Sequence, residues 1–155
     1  MAERRVVLGC DHAGVRLKNR IKEYLKDRGY EVVDVGADGD ESVDYPDYAS
    51  VVARKVSRGE AERGILVCGS GVGMAIVANK YPGVRAVHAS DVATAEVSRR
   101  HNDTNVLALG ARFPLKDPVE EIVRVWLEAE FEGGRHERRL NKIKKIESSL
   151  NGGDE

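Results

Sequence analysis

Cysteine is scarce in this chain, with only Cys10 and Cys68 among 155 residues. Two thiols do not make a disulfide framework, and nothing at the start calls for export, so both are read as free thiols in a reducing compartment. Met1-Ala2-Glu3-Arg4-Arg5 lacks the apolar core of a signal peptide. No apolar run approaches the roughly 20 residues that span a bilayer. A cytoplasmic protein without a membrane partner is expected. Excess charge is missing too: 25 basic residues nearly cancel 26 acidic ones, for a net charge of -1. No global field advertises nucleic acid, so a charged ligand must be caught locally.

Metal and nucleotide signatures are equally thin. The four histidines, at 12, 88, 101 and 136, show no paired spacing with one another or with the cysteines that would recommend zinc. Asp38, Asp40, Ser42 and Asp44 imitate the start of a calcium loop, but Val43 replaces the required glycine and Ala49 the closing glutamate. No metal is assigned. The absence of G-K-[ST] excludes a nucleotide triphosphate loop.

What is there is alternation. Val6 to Cys10 reads as a buried strand, and Leu17, Ile21, Tyr24 and Leu25 recur at helical spacing until Gly29. Residues 31–35, 63–68, 84–89 and 105–109 read as further strands, separated by helical stretches at 47–58, 73–80 and 91–101. Helices are also expected at 118–130 and, after the Gly133-Gly134 break, at 138–150, the last of these packing on a partner subunit. No internal repeat interrupts the pattern. At 155 residues and 41% hydrophobic, the chain suits one domain, 1–155. The fold class is α/β: one Rossmann-like three-layer domain whose five parallel strands take the order 2-1-3-4-5.

In such sheets ligands sit beyond the carboxyl ends of the strands, at the switch in strand order. Asp11 and His12 follow strand one, Cys68 to Gly73 strand three, Ser90 and Asp91 strand four, and Arg112 strand five. The richest of these segments is Cys68-Gly69-Ser70-Gly71-Val72-Gly73-Met74. Three glycines in five positions let backbone N–H groups converge on an anion where a helix begins. A thiol at such a positive end is an available base or nucleophile. Carbanion or oxyanion chemistry is the reading.

Each constellation has a plainer alternative. Cys68 alone is a small buried hydrophobe at a strand end. Gly69 to Gly73 with Asp91 downstream resembles a dinucleotide fingerprint, but the spacing is G-x-G-x-G and follows the third strand. Asp11-His12 suits an ordinary turn and cap, and His101-Asn102-Asp103 an ordinary helix end. Arg135 and Arg139, four apart, share a helical face that suits a phosphate. With Lys142, Lys144 and Lys145 they equally suit a solvated basic helix, or a nucleic-acid tail that lacks the usual aromatics.

Six blocks taken together closely resemble ribose-5-phosphate isomerase type B: residues 9–14 (Gly-Cys-Asp-His-Ala-Gly), 44–49 (Asp-Tyr-Pro-Asp-Tyr-Ala), 68–73, 78–80 (Ala-Asn-Lys), 101–105 (His-Asn-Asp-Thr-Asn) and 133–136 (Gly-Gly-Arg-His). The resemblance runs from about residue 5 to residue 148, and the same superfamily includes galactose-6-phosphate isomerase subunits. It implies a cofactor-free interconversion of ribose 5-phosphate and ribulose 5-phosphate through an enediolate, with Cys68 as the base. It further implies that His101, helped by Asp11, opens the furanose ring, and that Ser70 moves protons between the two oxygens. The amides of Gly69, Gly71, Val72 and Gly73 would hold the enediolate. His12, Arg112, Arg135 and Arg139 would bind phosphate and sugar, with Asn102 beside them and Tyr45 lining the sugar. Shared active sites in a homodimer, or a tetramer built from it, also follow from the resemblance.

Two departures stand out. Ser70 replaces a threonine common in bacterial members, which removes a methyl group from the pocket. Met74 stands where one subgroup carries a glutamate base. A six-carbon substrate, galactose 6-phosphate or allose 6-phosphate, stays open, as does a sugar-phosphate or nucleotide-binding module without turnover.

Overall fold

The computed structural model describes residues 4–152, and the ends at 1–3 and 153–155 lie outside it. Strands β1 (Arg5–Cys10), β2 (Glu31–Asp34), β3 (Arg63–Cys68), β4 (Ala86–His88) and β5 (Val106–Gly110) alternate with helices. A short 3₁₀ turn, His12–Gly14, leads into α1 (Val15–Asp27). The other helices are α2 (Tyr45–Ser57), α3 (Val72–Ala78), α4 (Val92–Asn102), α5 (Val119–Glu128) and α6 (Arg135–Leu150). All strand pairings are parallel.

The strand order differs from the expected 2-1-3-4-5. It is β2-β1-β3-β5-β4, with the last two strands exchanged. The physical reason lies in the strands themselves. Val106-Leu107-Ala108-Leu109-Gly110 is buried throughout, as a central parallel strand must be. Ala86-Val87-His88 is short, half-buried and ends on an exposed histidine, which suits an edge. The exchange leaves the β1/β3 switch point intact and brings Gly110, rather than the end of β4, beside Cys68.

Alternation along the strands builds two cores. Val6, Leu8, Cys10, Ile65 and Val67 face α1 and α5, where Ile21, Leu25, Ile122 and the fully buried Trp126 complete one layer. Val7, Leu66 and Cys68 face α2 and α3, packing with Ala49, Val52 and Met74. The two cysteines therefore lie on opposite faces of the sheet, and both are free thiols. Helix α6 begins at Arg135, three residues earlier than expected. Gly134, at φ +59°, serves as its N-cap and releases Arg135 directly into helix.

No helix among the described residues is long and apolar enough to cross a membrane.

Candidate active site

Parallel pairing sets Cys10 opposite Val67 and Cys68 opposite Gly110, so the β1, β3 and β5 loops emerge side by side. The Asp11 amide donates to the Val67 carbonyl at 3.1 Å, which holds Asp11 next to Cys68. Asp11 is buried, and its carboxylate accepts the Ala13 N–H at 3.0 Å, capping the 3₁₀ turn. His12 Nδ1 accepts the Val43 N–H at 3.1 Å. That bond fixes the neutral tautomer with its proton on Nε2, leaving a donor on the far side of the ring.

The Cys68-to-Gly73 loop is fastened to itself and to β5. Cys68 Sγ accepts the Gly71 N–H at 3.1 Å, and Ser70 Oγ accepts the Val72 N–H at 3.2 Å. The amides of Ala111 and Arg112 donate to the carbonyls of Cys68 and Gly69 at 2.8 and 2.9 Å. Gly71, the N-cap of α3, stands at φ +83°, and a Cβ there would lie 2.7 Å from His88 and 2.8 Å from the Leu109 carbonyl carbon. Only glycine makes this turn against β5. Gly73 yields to another neighbour: a Cβ on it would meet the Tyr45 ring at 2.5 Å. Tyr45 thus leans on the start of α3, and the Arg112 side chain lies over Gly69.

A cavity of about 240 Å³ opens beside this loop, lined by Ser70, Val72, His88, Ser90, Gly110 and Phe113 among others. His88 and Phe113 escaped the sequence reading. Their signal was position alone, at or just after the carboxyl end of a strand. Met74 is fully buried on the inner face of α3, and a thioether offers no acid or base in any case.

The remaining predicted residues gather elsewhere. Helix α4 runs back along the sheet, so His101 and Asn102 lie at the amino edge of the strands. The Arg85 guanidinium, just ahead of β4, donates to the Asn102 carbonyl at 2.9 Å. His101 stacks on His136 of α6, with ring centroids 4.1 Å apart and an interplanar angle of 12°. Arg135 and Arg139 are exposed on the same first turns of α6. Burial holds the His136 imidazole below its ordinary pKa, with His101, Arg135 and Arg139 adding to the effect and Glu132 opposing it. A strand of five or six residues at about 3.3 Å per residue separates the two ends by roughly 15–20 Å. One chain therefore brings Asp11, His12, Tyr45, Cys68 to Gly73 and Arg112 to one end of the sheet. It holds His101, Asn102, Arg135 and Arg139 at the other.

Comparison with known proteins decides the lineage of this arrangement. Residues 6–143 match the family model described as Ribose/Galactose Isomerase. The chain belongs to the ribose/galactose isomerase family. Ribose-5-phosphate isomerase B of Escherichia coli (strain K12) is 49% identical over 148 residues, covering 96% of this chain and 99% of that protein. Among solved structures of the family, ribose-5-phosphate isomerase B from Clostridium thermocellum superposes with a TM-score of 0.91 at 50% identity, over 94% of this chain and 99% of that one. Ribose-5-phosphate isomerase B from Mycoplasma genitalium, solved with bound ribulose-5-phosphate, gives 0.89 at 42% identity, over 93% and 96%.

Proposed function

We propose that this family member is an aldose–ketose isomerase of one domain, residues 1–155, interconverting ribose 5-phosphate and ribulose 5-phosphate in the pentose phosphate branch of carbohydrate metabolism. The observation that carries the reading is the Cys68 thiol seated among the amides of a glycine-shaped loop at the switch point, in a chain similar throughout to named isomerases of this kind.

The chemistry assigns each group one task. His101, with Asp11, donates and abstracts the protons that open the furanose. Cys68, as thiolate, removes the C2 proton of the open aldose and returns it to C1. The negative charge that passes onto the oxygens is met by the amides of Gly69 and Gly73, with those of Gly71 and Val72 shared between it and the Cys68 Sγ and Ser70 Oγ that they meet in the free chain. Ser70 Oγ relays a proton between the two oxygens. His12, through its outward Nε2–H, binds the phosphate with Arg112, Arg135 and Arg139, while Asn102 and Tyr45 line the sugar. No metal or organic cofactor enters this scheme.

The functional unit in this reading is a homodimer, or a tetramer of such dimers. The separation of the two residue groups supports it, because a two-fold partner can bring His101, Asn102, Arg135 and Arg139 to the other chain's Cys68. Exposed apolar side chains support it as well: Val72 and Ile76 on α3, and Ile143, Ile146 and Leu150 along α6. A cytoplasmic location fits two free thiols.

The decisive assay sets ribose 5-phosphate, allose 6-phosphate and galactose 6-phosphate side by side, after exhaustive dialysis against a chelator. Turnover should be fastest with ribose 5-phosphate, survive the chelator and require no added metal or nicotinamide. Preference for a six-carbon substrate would move the assignment within the family. Binding without turnover would make the chain a sugar-phosphate module.

A further inference from the structure

The stacked histidines have a third neighbour that the isomerase scheme leaves unused. Glu132 Oε2 accepts from Arg100 Nε at 2.7 Å, and the Glu132 amide donates to the Arg100 carbonyl at 3.0 Å. These two bonds orient the carboxylate. Its other oxygen, Oε1, faces both imidazoles, 3.8 Å from His101 Nε2 and 3.6 Å from His136 Nε2. Both distances exceed a hydrogen bond. His136 is only 5% exposed, and its Nε2 has no hydrogen-bond partner. A buried polar nitrogen without a partner is costly, and this one lies within 4.8 Å of two further donor atoms.

We propose that His101, Glu132 and His136 form a binding site for a divalent transition-metal ion of zinc's class, and that its occupation inhibits the isomerase. The ligand atoms of the three residues all lie within 4.8 Å of one another. Two imidazoles and one carboxylate are a donor set that suits zinc, cobalt or nickel. Tetrahedral bonds of about 2.0–2.1 Å separate donor atoms by roughly 3.3–3.4 Å, close to the 3.8 and 3.6 Å found here, and the ion would turn the imidazoles out of their parallel stack so that both ring lone pairs meet it. The ion would give up water to take the two ring lone pairs and Oε1, keeping water at its fourth position. The half-exposed side of His101 and Glu132 leaves room for that water.

Arg100 orients the carboxylate as an outer partner does in metal sites, while its own charge opposes a cation. The charges of Arg135 and Arg139 also oppose it, but both side chains are exposed and water screens them. Spacing could not reveal the triad. Glu132 and His136 are four apart, whereas His101 arrives from α4 through its packing against α6. The inhibitory half rests on the ring-opening role proposed for His101, because a metal on its nitrogen removes the lone pair that role needs.

The test separates the two halves. Zn²⁺ is titrated in competition with a chromophoric chelator, and Co²⁺ absorption is recorded, on full-length Cys68→Ala protein, so that neither turnover nor the active-site thiol contributes. A single ion per chain with tetrahedral cobalt bands is expected. Glu132→Gln and His136→Gln in that background should each weaken binding at least about 100-fold, the upper end of what losing a mere outer partner costs. Circular dichroism checks that each variant is folded, and the exposed Glu132 keeps the test open should His136→Gln misfold. Unchanged affinity in folded Glu132→Gln, or binding lost with Cys68→Ala, overturns the site. In the activity arm, Zn²⁺ should inhibit the otherwise wild-type enzyme, a chelator should restore it, and Glu132→Gln enzyme should resist. Zinc bound without inhibition overturns the inhibitory half and His101's role with it. A chain that shows no isomerase activity refutes the proposed function and leaves the titration readable.

Discussion

The Gly71 amide donates to the sulfur of Cys68 across 3.1 Å, so the proposed base is tied to the same turn that supplies the oxyanion donors. Cys68→Ala should therefore abolish isomerisation, by about 10² to 10⁴-fold in kcat, while ligand affinity stays close to normal. Steady-state kinetics and calorimetric binding of a sugar phosphate on the folded variant check this. Near-normal turnover would remove the thiol from the mechanism.

Gly71 is the tighter constraint of the pair. At φ +83°, and with a Cβ position 2.7 Å from His88, alanine there is both strained and crowded. Gly71→Ala should cost on the order of 1–3 kcal/mol in backbone strain alone and turn the amides away from their target. Urea melts and kcat on the same preparation would reveal both losses together. A variant as stable and active as wild type would mean the loop tolerates another conformation.

Cys10 should behave unlike Cys68. Burial pushes the Cys10 thiol up to about 11, against a smaller opposing influence of the Lys18 charge. At pH 8 iodoacetamide should label Cys68 first, and bound sugar phosphate should protect it. Cys10 should stay unmodified, and Cys10→Ala should retain activity. Peptide mapping of partly alkylated protein distinguishes the two sites.

Acid should unpick the β2 end of the sheet. Lys18 is 1% exposed, and its ammonium donates to Asp34 at 2.9 Å and to the Ala37 carbonyl at 2.6 Å. Burial alone would raise the Asp34 carboxyl, but Lys18, the Gly36 amide and Lys22 outweigh it and hold the group below its ordinary value. A depressed folded pKa contributes stability that is complete above the unfolded value, about 3.9, and is lost as pH falls from there through the folded one. Asp34→Asn should cost about 3 kcal/mol at pH 7, where it leaves Lys18 without its counter-charge. The deficit should shrink as pH drops below about 4. Denaturant melts across pH 3–7 measure it, and a deficit independent of pH would make the contact purely steric.

Much of this was legible in the residues. Alternating apolar runs and helical periodicities located the five strands and six α-helices of the described residues, though not the 3₁₀ turn at His12–Gly14, and the density of glycine around Cys68 marked the loop. Neighbour order was harder, because periodicity records burial and not adjacency. The continuous Val-Leu-Ala-Leu run of β5 against the short, histidine-ended β4 was the available clue to the exchanged strands. Strand β4 is also shorter than the apolar run at 84–89 suggests, since the Asn105 and Asn79 side chains accept the Arg85 and Ala86 amides ahead of any ladder. The His101–Glu132–His136 group was invisible, because it exists only where α4 meets α6.

Most direct for the central claim, a site shared between chains, is a subunit-mixing experiment. Inactive Cys68→Ala protein is mixed with inactive Arg139→Ala protein under conditions that exchange subunits, with exchange verified by native mass spectrometry. In each mixed dimer one site receives both substitutions and the other receives neither, so random exchange should restore roughly a quarter of wild-type activity. No recovery despite verified exchange would mean that each chain completes its own site, contradicting the roles given to the α4 and α6 residues.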